Sequence, residues 1–236
     1  MKREEFSIEL WCEEVQDLFK RNEGYGIYAT NDTCYEGRLI PICTPAIIRP
    51  PALVMGTNHS DFVEGGKGQA REIAESLCEG NSGKRNNLNE GMDRYSKMTR
   101  KLCARAGHPV NFRWVATNRC PIQTGPSGIA VFERSAWYQE VSREMDQLHF
   151  QLIGELKPMN VIVCGNYAAQ LFYGENAQVG KLIPKLFEFE YLSQSEQSVK
   201  RAQVNVIPVH HPSRVKYADA SVIQKYWVDE VAELSA

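Results

Sequence analysis

The chain has 236 residues, 43% of them hydrophobic, enough for one large domain with a substantial core. Its formal net charge of −2 excludes a global signature of nucleic-acid binding but not a local basic face, because local charge sets the field that a partner feels. No run of about 18 apolar residues marks a membrane span, and MKREEFSIEL lacks the apolar core of a signal peptide, so the expectation is a soluble cytoplasmic protein with no membrane partner. Seven cysteines, none in a CxxC pair, argue against zinc or iron–sulfur ligation and read as reduced thiols.

The first element is a helix, since Ile8, Trp11, Val15, Leu18 and Phe19 share one face at spacings of three and four. Residues 23–50 are irregular and close on Arg49-Pro50-Pro51. ALVMG, 52–56, is an apolar run ending in glycine and reads as a buried strand. From 63 to 108 the pattern breaks into a basic insert. EGGKGQ and CEGNSGKRNNLNEG are loop-like, and MDRYSKMTRKLCARAG reads as a basic helix ended by Gly107. Residues 67–113 carry ten Lys/Arg against five Asp/Glu, either a solvated helix face or a surface that tracks phosphates.

FRWVATN, 112–118, is the second strand, and a long amphipathic helix follows within 133–156, with Val141, Met145, Leu148 and Leu152 along one stripe. NVIVCGN, 160–166, is the third strand, with Cys164 a small core residue, and a short helix runs over 167–173. KLFEFEYL, 185–192, alternates like a half-exposed strand, SQSEQSVKRAQ reads as a loop, and VNVIPV, 204–209, is the fourth apolar strand. A last helix buries Ile223, Trp227, Val231 and Leu234. Strands alternating with helices predict a three-layer α/β/α sandwich on a central, mostly parallel four-stranded sheet. The expected organisation is a single domain with an N-terminal helical extension over residues 1–50 and the basic insert.

Ligands of such sheets bind at the carboxyl ends of the strands. Polar clusters follow three of them: GTNHSDF at 56–62, TNRCPIQTGPSG at 117–128 and HHPSR at 210–214. Gly-x-Asn with a turn, Thr-Asn, and His-Pro-Ser, in that order, resemble the uracil-DNA glycosylase superfamily. NVIVCGNYAAQLFYG resembles that superfamily's third strand and following helix, and the resemblance runs from residue 50 to residue 215. It implies a monomeric, monofunctional DNA glycosylase. Such a hydrolase flips a pyrimidine out of double- or single-stranded DNA, hydrolyses its N-glycosidic bond and leaves an abasic site, with no metal or organic cofactor.

By that resemblance Asn58 positions the attacking water, although an amide holds no proton at neutral pH and is no general base. A turn residue is the alternative for Asn58. Asn118 takes the base-reading place. Its amide has donors and an acceptor, so it suits uracil one way and cytosine when turned by half; a strand-end cap is the alternative. His211 takes the place of the histidine that donates to the pyrimidine O2 as negative charge builds. After it, Ser213, Arg214, Val215, Lys216 and Tyr217 form the expected DNA-contacting loop. Arg214, Val215 and Tyr217 are candidate wedges, and Lys216 a phosphate contact.

His59 stands where most relatives have proline, and no four-cysteine framework places the chain in the iron–sulfur branches. His59 and Asp61 beside Asn58 are candidate bases, phosphate ligands or turn caps. Ser60 replaces the tyrosine whose ring excludes a 5-methyl group in the classical uracil enzymes, leaving room beside C5. The target base thus stays open among uracil, thymine and 5-modified or hypermodified cytosine, as does the choice between repair and defence against phage. Phe62, Tyr95, Phe112 and Trp114 are candidate stacking aromatics, with a place in the core the alternative reading for each. His210 is expected on the opposite side of the extended chain from His211, with structural and functional roles both open. The rival functions are an inactive glycosylase-like module that binds nucleic acid or a nucleotide, and a small-molecule nucleosidase.

Overall fold

A computed structural model describes residues 6–22, 42, 46–57, 101–108, 114–121, 136–211 and 217–229. The three short apolar runs form β1 (Ala52–Gly56), β2 (Trp114–Asn118) and β3 (Asn160–Cys164). Each is buried along its whole length, as parallel strands covered on both faces must be. β4 (Lys185–Leu192) and β5 (Val199–Val209) complete the sheet in the order β2-β1-β3-β5-β4. β1 pairs in parallel with β2 and β3, β3 pairs in parallel with β5, and β4 is antiparallel to β5.

The sheet therefore has five strands rather than four, because KLFEFEYL joins it as an antiparallel edge. The polar VKRAQ, which composition assigns to a loop, is the first half of β5. That half pairs with β4 from Glu188↔Gln203 to Leu192↔Val199, before β5 meets β3 at Asn205. With β4 as its one partner it alternates between exposed and half-buried positions, and full burial begins at Val204. Hydrophobicity locates only the part of a strand that the layers cover.

Strand alternation divides the side chains between two cores. Leu53, Met55, Val161, Val163 and Val206 face α1 (Ile8–Lys20), α3 (Ala136–Leu156) and α4 (Asn166–Tyr173), whose Trp11, Phe19, Leu152 and Phe172 share that core. Ala52, Val54, Ile162, Cys164, Ile207 and Val209 face the other way, onto Leu102 and Cys103 of α2 (101–105) and Ile223 of α5 (Tyr217–Tyr226). This is the three-layer α/β/α arrangement. Each fully buried aliphatic side chain stabilises it by about 2 kcal/mol.

Local signals set the helix ends. Ser7 caps α1 by accepting from the Leu10 N–H at 3.2 Å. α2 stops at Gly107, whose φ of +85° suits glycine, with the N–H groups of Gly107 and His108 donating to Ala104 and Cys103. In the last helix Ile223 is buried as expected, Trp227 lies just past Tyr226, and Val231 and Leu234 fall outside the described residues. Trp114, a candidate stacking aromatic, is 1% exposed within the second core and belongs to the packing. Among the described residues no helix is long and apolar enough to cross a membrane.

After β1 the chain moves to β2 on one side; after β3 it moves to β4 and β5 on the other. The carboxyl edge between β1 and β3 is thus the switch point at which open α/β sheets form a crevice.

Candidate functional site

The parallel register lines up four strand ends. Gly56 pairs with Asn118, Met55 with Val163, and Cys164 with Val209. A cleft of about 690 Å³ opens at that edge, within the range of small-molecule sites. Thr57 just after β1, Gly165 and Asn166 from the β3–α4 corner, and His210 and His211 just after β5 form its walls. Residues 178–181, which include a 3-10 turn (Val179–Lys181), close the remaining side.

Gly165 makes the sharp strand-to-helix corner. Its φ of +92° and ψ of 167° belong to a region open essentially to glycine alone. Its N–H donates to the Val209 carbonyl at 2.9 Å, and a Cβ there would stand 3.4 Å from His211 Cβ and 3.7 Å from Thr57 Oγ1. Gly165 gives α4 no side-chain cap, so the positive end of this helix opens onto the cleft. Asn166 Oδ1 accepts from the Val179 N–H at 2.9 Å and pins the 3-10 turn against the helix start.

At the end of β5, alternation alone would separate His210 from His211. Both reach the cleft because the strand ends at Val209. The His210 N–H donates to Asp219 Oδ1 at 3.2 Å, and its ring Nδ1 lies 2.8 Å from the same oxygen. Asp219, in the first turn of α5, is 3% exposed. Across the ring, Nε2 sits 3.7 Å from where a Gly180 Cβ would stand. The imidazole therefore spans from a buried carboxylate to the 3-10 turn of the cleft wall.

The end of β2 is built differently. Asn118 is 5% exposed beside Gly56, one strand over from the walls just described, and the N–H groups of Arg119 and Cys120 donate to Gly56 and Thr57 at 3.0 and 2.9 Å. Arg119 grips Asp146 of α3 through two bonds of 2.9 and 2.7 Å, donates to the Tyr167 carbonyl at 2.8 Å and lies over the Tyr167 ring. Tyr167 and Tyr138 share a 2.7 Å hydroxyl contact, and burial pushes both phenols up. His149, fully buried, holds Nε2 3.2 Å from the Arg119 carbonyl; burial lowers its pKa to about 4, so the ring is neutral. The residue after Asn118 is thereby locked to α3 and α4.

Of the sequence-derived candidates, the structure brings Asn118 and His211 to one edge. Asn58, His59, Ser60, Asp61 and Phe62 lie outside the described residues, as do Ser213, Arg214, Val215, Lys216, Tyr95 and Phe112. Tyr217 opens α5. Sequence reasoning missed Thr57, Asn166 and the turn at 178–181, and it did not pair His210 with Asp219. An acidic residue in a first helical turn signals only a complement to the helix dipole. Among the described residues no group of three His, Cys, Asp or Glu side chains is arranged to hold a metal ion. The chain matches no protein-family model and no curated protein sequence.

Proposed function

We propose that the protein is a monofunctional DNA glycosylase of the uracil-DNA glycosylase kind, acting on DNA as a monomer. Its substrate is a pyrimidine, uracil or a 5-modified cytosine or thymine, in base-excision repair or in defence against phage with modified DNA. The observation that carries this reading is the cleft at the β1/β3 switch point, where Thr57, Gly165 and His211 meet with Asn118 at the neighbouring strand end. These belong to the segments whose sequences resemble that superfamily.

The chemistry suits such an edge. As the glycosidic bond breaks, its electron pair stays with the base, and donors aimed at the base lower the barrier. His211 supplies an imidazole donor, and the start of α4 adds the positive end of a helix dipole. Asn118 offers both a donor and an acceptor to a pyrimidine edge. The reaction calls on no metal or organic cofactor.

Oligonucleotides carrying uracil, a thymine mismatch, 5-hydroxymethylcytosine or its glucosylated form test the reading, with alkaline strand cleavage reporting abasic sites and mass spectrometry the released base. Wild type is expected to release one of these bases, with His211→Ala and Asn118→Ala each slower by about 10²- to 10³-fold. DNA binding without release from any oligonucleotide would make the protein a binding module. Release from free nucleosides but not from DNA would make it a nucleosidase.

A further inference from the structure

Glycosidic hydrolysis needs an acceptor for the proton of the attacking water. His59 and Asp61 are sequence candidates outside the described residues, and among the described residues of this cleft an imidazole is the group suited to the task. Asn58 is an amide and accepts no proton at neutral pH. Lys181, on the cleft wall, offers donors and no acceptor when charged. His211 is assigned the donor role toward the base.

His210 differs. With Asp219 as a carboxylate accepting at 2.8 Å, the proton of the neutral ring belongs on Nδ1. Nε2 then carries a lone pair, and it lies on the cleft side beside Gly180. Asp219 itself, at 3% exposure, is closed off from the cleft and accepts the His210 backbone N–H with the same oxygen, which fixes the ring's orientation at its root.

We propose that His210, held by Asp219, is the general base of this cleft, and that Asp219 is its positioning residue. The inference rests on the glycosylase reading above. Nε2 takes a proton from water as the water oxygen bonds to the anomeric carbon; the carbon–nitrogen bond breaks with its electron pair leaving on the base. The imidazolium is stabilised against Asp219 and returns its proton to the departing base or to solvent. The step balances without any further reactant.

Two measurements on the full chain decide it. The first is single-turnover release from the oligonucleotide that wild type processes. His210→Ala should slow release by about 10²- to 10⁴-fold, keep DNA binding within about threefold of wild type, and regain rate when free imidazole is added. A purely structural role predicts neither unchanged binding nor rescue by imidazole. The second is ¹⁵N NMR of the histidine ring, which needs no substrate. Wild type should show the proton on Nδ1 of His210, and Asp219→Asn should disturb that tautomer and slow release. Wild-type release matched by His210→Ala, or a proton on Nε2 in the wild-type neutral ring, overturns the proposal alone. No release by wild type from any oligonucleotide defeats the glycosylase reading and this role with it.

Discussion

The two ends of the parallel sheet carry similar residues and use them in opposite ways. At the amino end Asn160 and Asn205 begin the related stretches NVIVC and NVIPV and are register partners across β3 and β5. Asn160 donates to the Pro51 and Val228 carbonyls at 3.0 and 2.8 Å and accepts from the Val228 N–H at 3.1 Å and from Asn205 at 2.8 Å. Asn205 also donates to the Tyr226 carbonyl at 2.6 Å. These amides bond inside the protein and tie the amino end of the β3–β5 pairing to the last residue of α5 and the segment after it. At the carboxyl end His210 uses one ring nitrogen on Asp219 and presents the other to a cleft. The Asn160 amide spends both its groups on partners inside the protein, whereas His210, partly exposed, leaves one ring nitrogen on the cleft side.

That contrast can be broken most severely at the amino end. Asn160→Ala removes four hydrogen bonds and leaves buried backbone groups behind, so a loss of about 4 kcal/mol is expected. Chemical denaturation measures it, and release per folded molecule should stay at the wild-type level. A fall in intrinsic rate would show that the two ends are coupled.

The next largest effect lies beneath the β2 end and depends on pH. Unfolded, the His149 ring takes its proton near 6.5; folded, burial delays this to about 4. The unfolded chain binds the extra proton between those values, so this stabilisation is fully present above about pH 6.5 and is lost as pH falls toward 4, by about 3 kcal/mol in all. Denaturation midpoints across that range should slope for wild type and flatten for His149→Gln. A wild-type profile that is flat over the same range would mean that the buried ring does not resist protonation.

The smallest change is at the cleft corner. Gly165→Ala forces a Cβ into a glycine-only conformation and should destabilise by about 2 kcal/mol. The new methyl would stand against His211 and Thr57, so release should slow by more than the stability loss explains. A variant as active as wild type once folded would show that this corner supports the cleft without shaping it.

Much of this fold was legible in the residues. Runs such as ALVMG and NVIVC are apolar because both of their faces are covered, so burial writes itself into composition. The α1 stripe and the Gly107 stop were readable for similarly local reasons. VKRAQ was not, since half a strand held by one edge partner has no apolar face to declare it. Trp114 left two readings open, a ligand-stacking ring or core, and it is core because β2 is covered on both faces along its whole length.

The sequence by itself determined the alternation of covered strands and helices, and with it the sheet edge at which Asn118 and His211 would gather; that His210 shares it follows from β5 ending at Val209. Tertiary structure alone decided which partner each would have there. Asp219 lies nine positions beyond His210, on a helix whose docking against β5 is set by Ile223 and the apolar face it meets. Hydrophobic periodicity is a local property of the chain, whereas the hydrogen bond that orients a ring depends on where two separately folded elements come to rest.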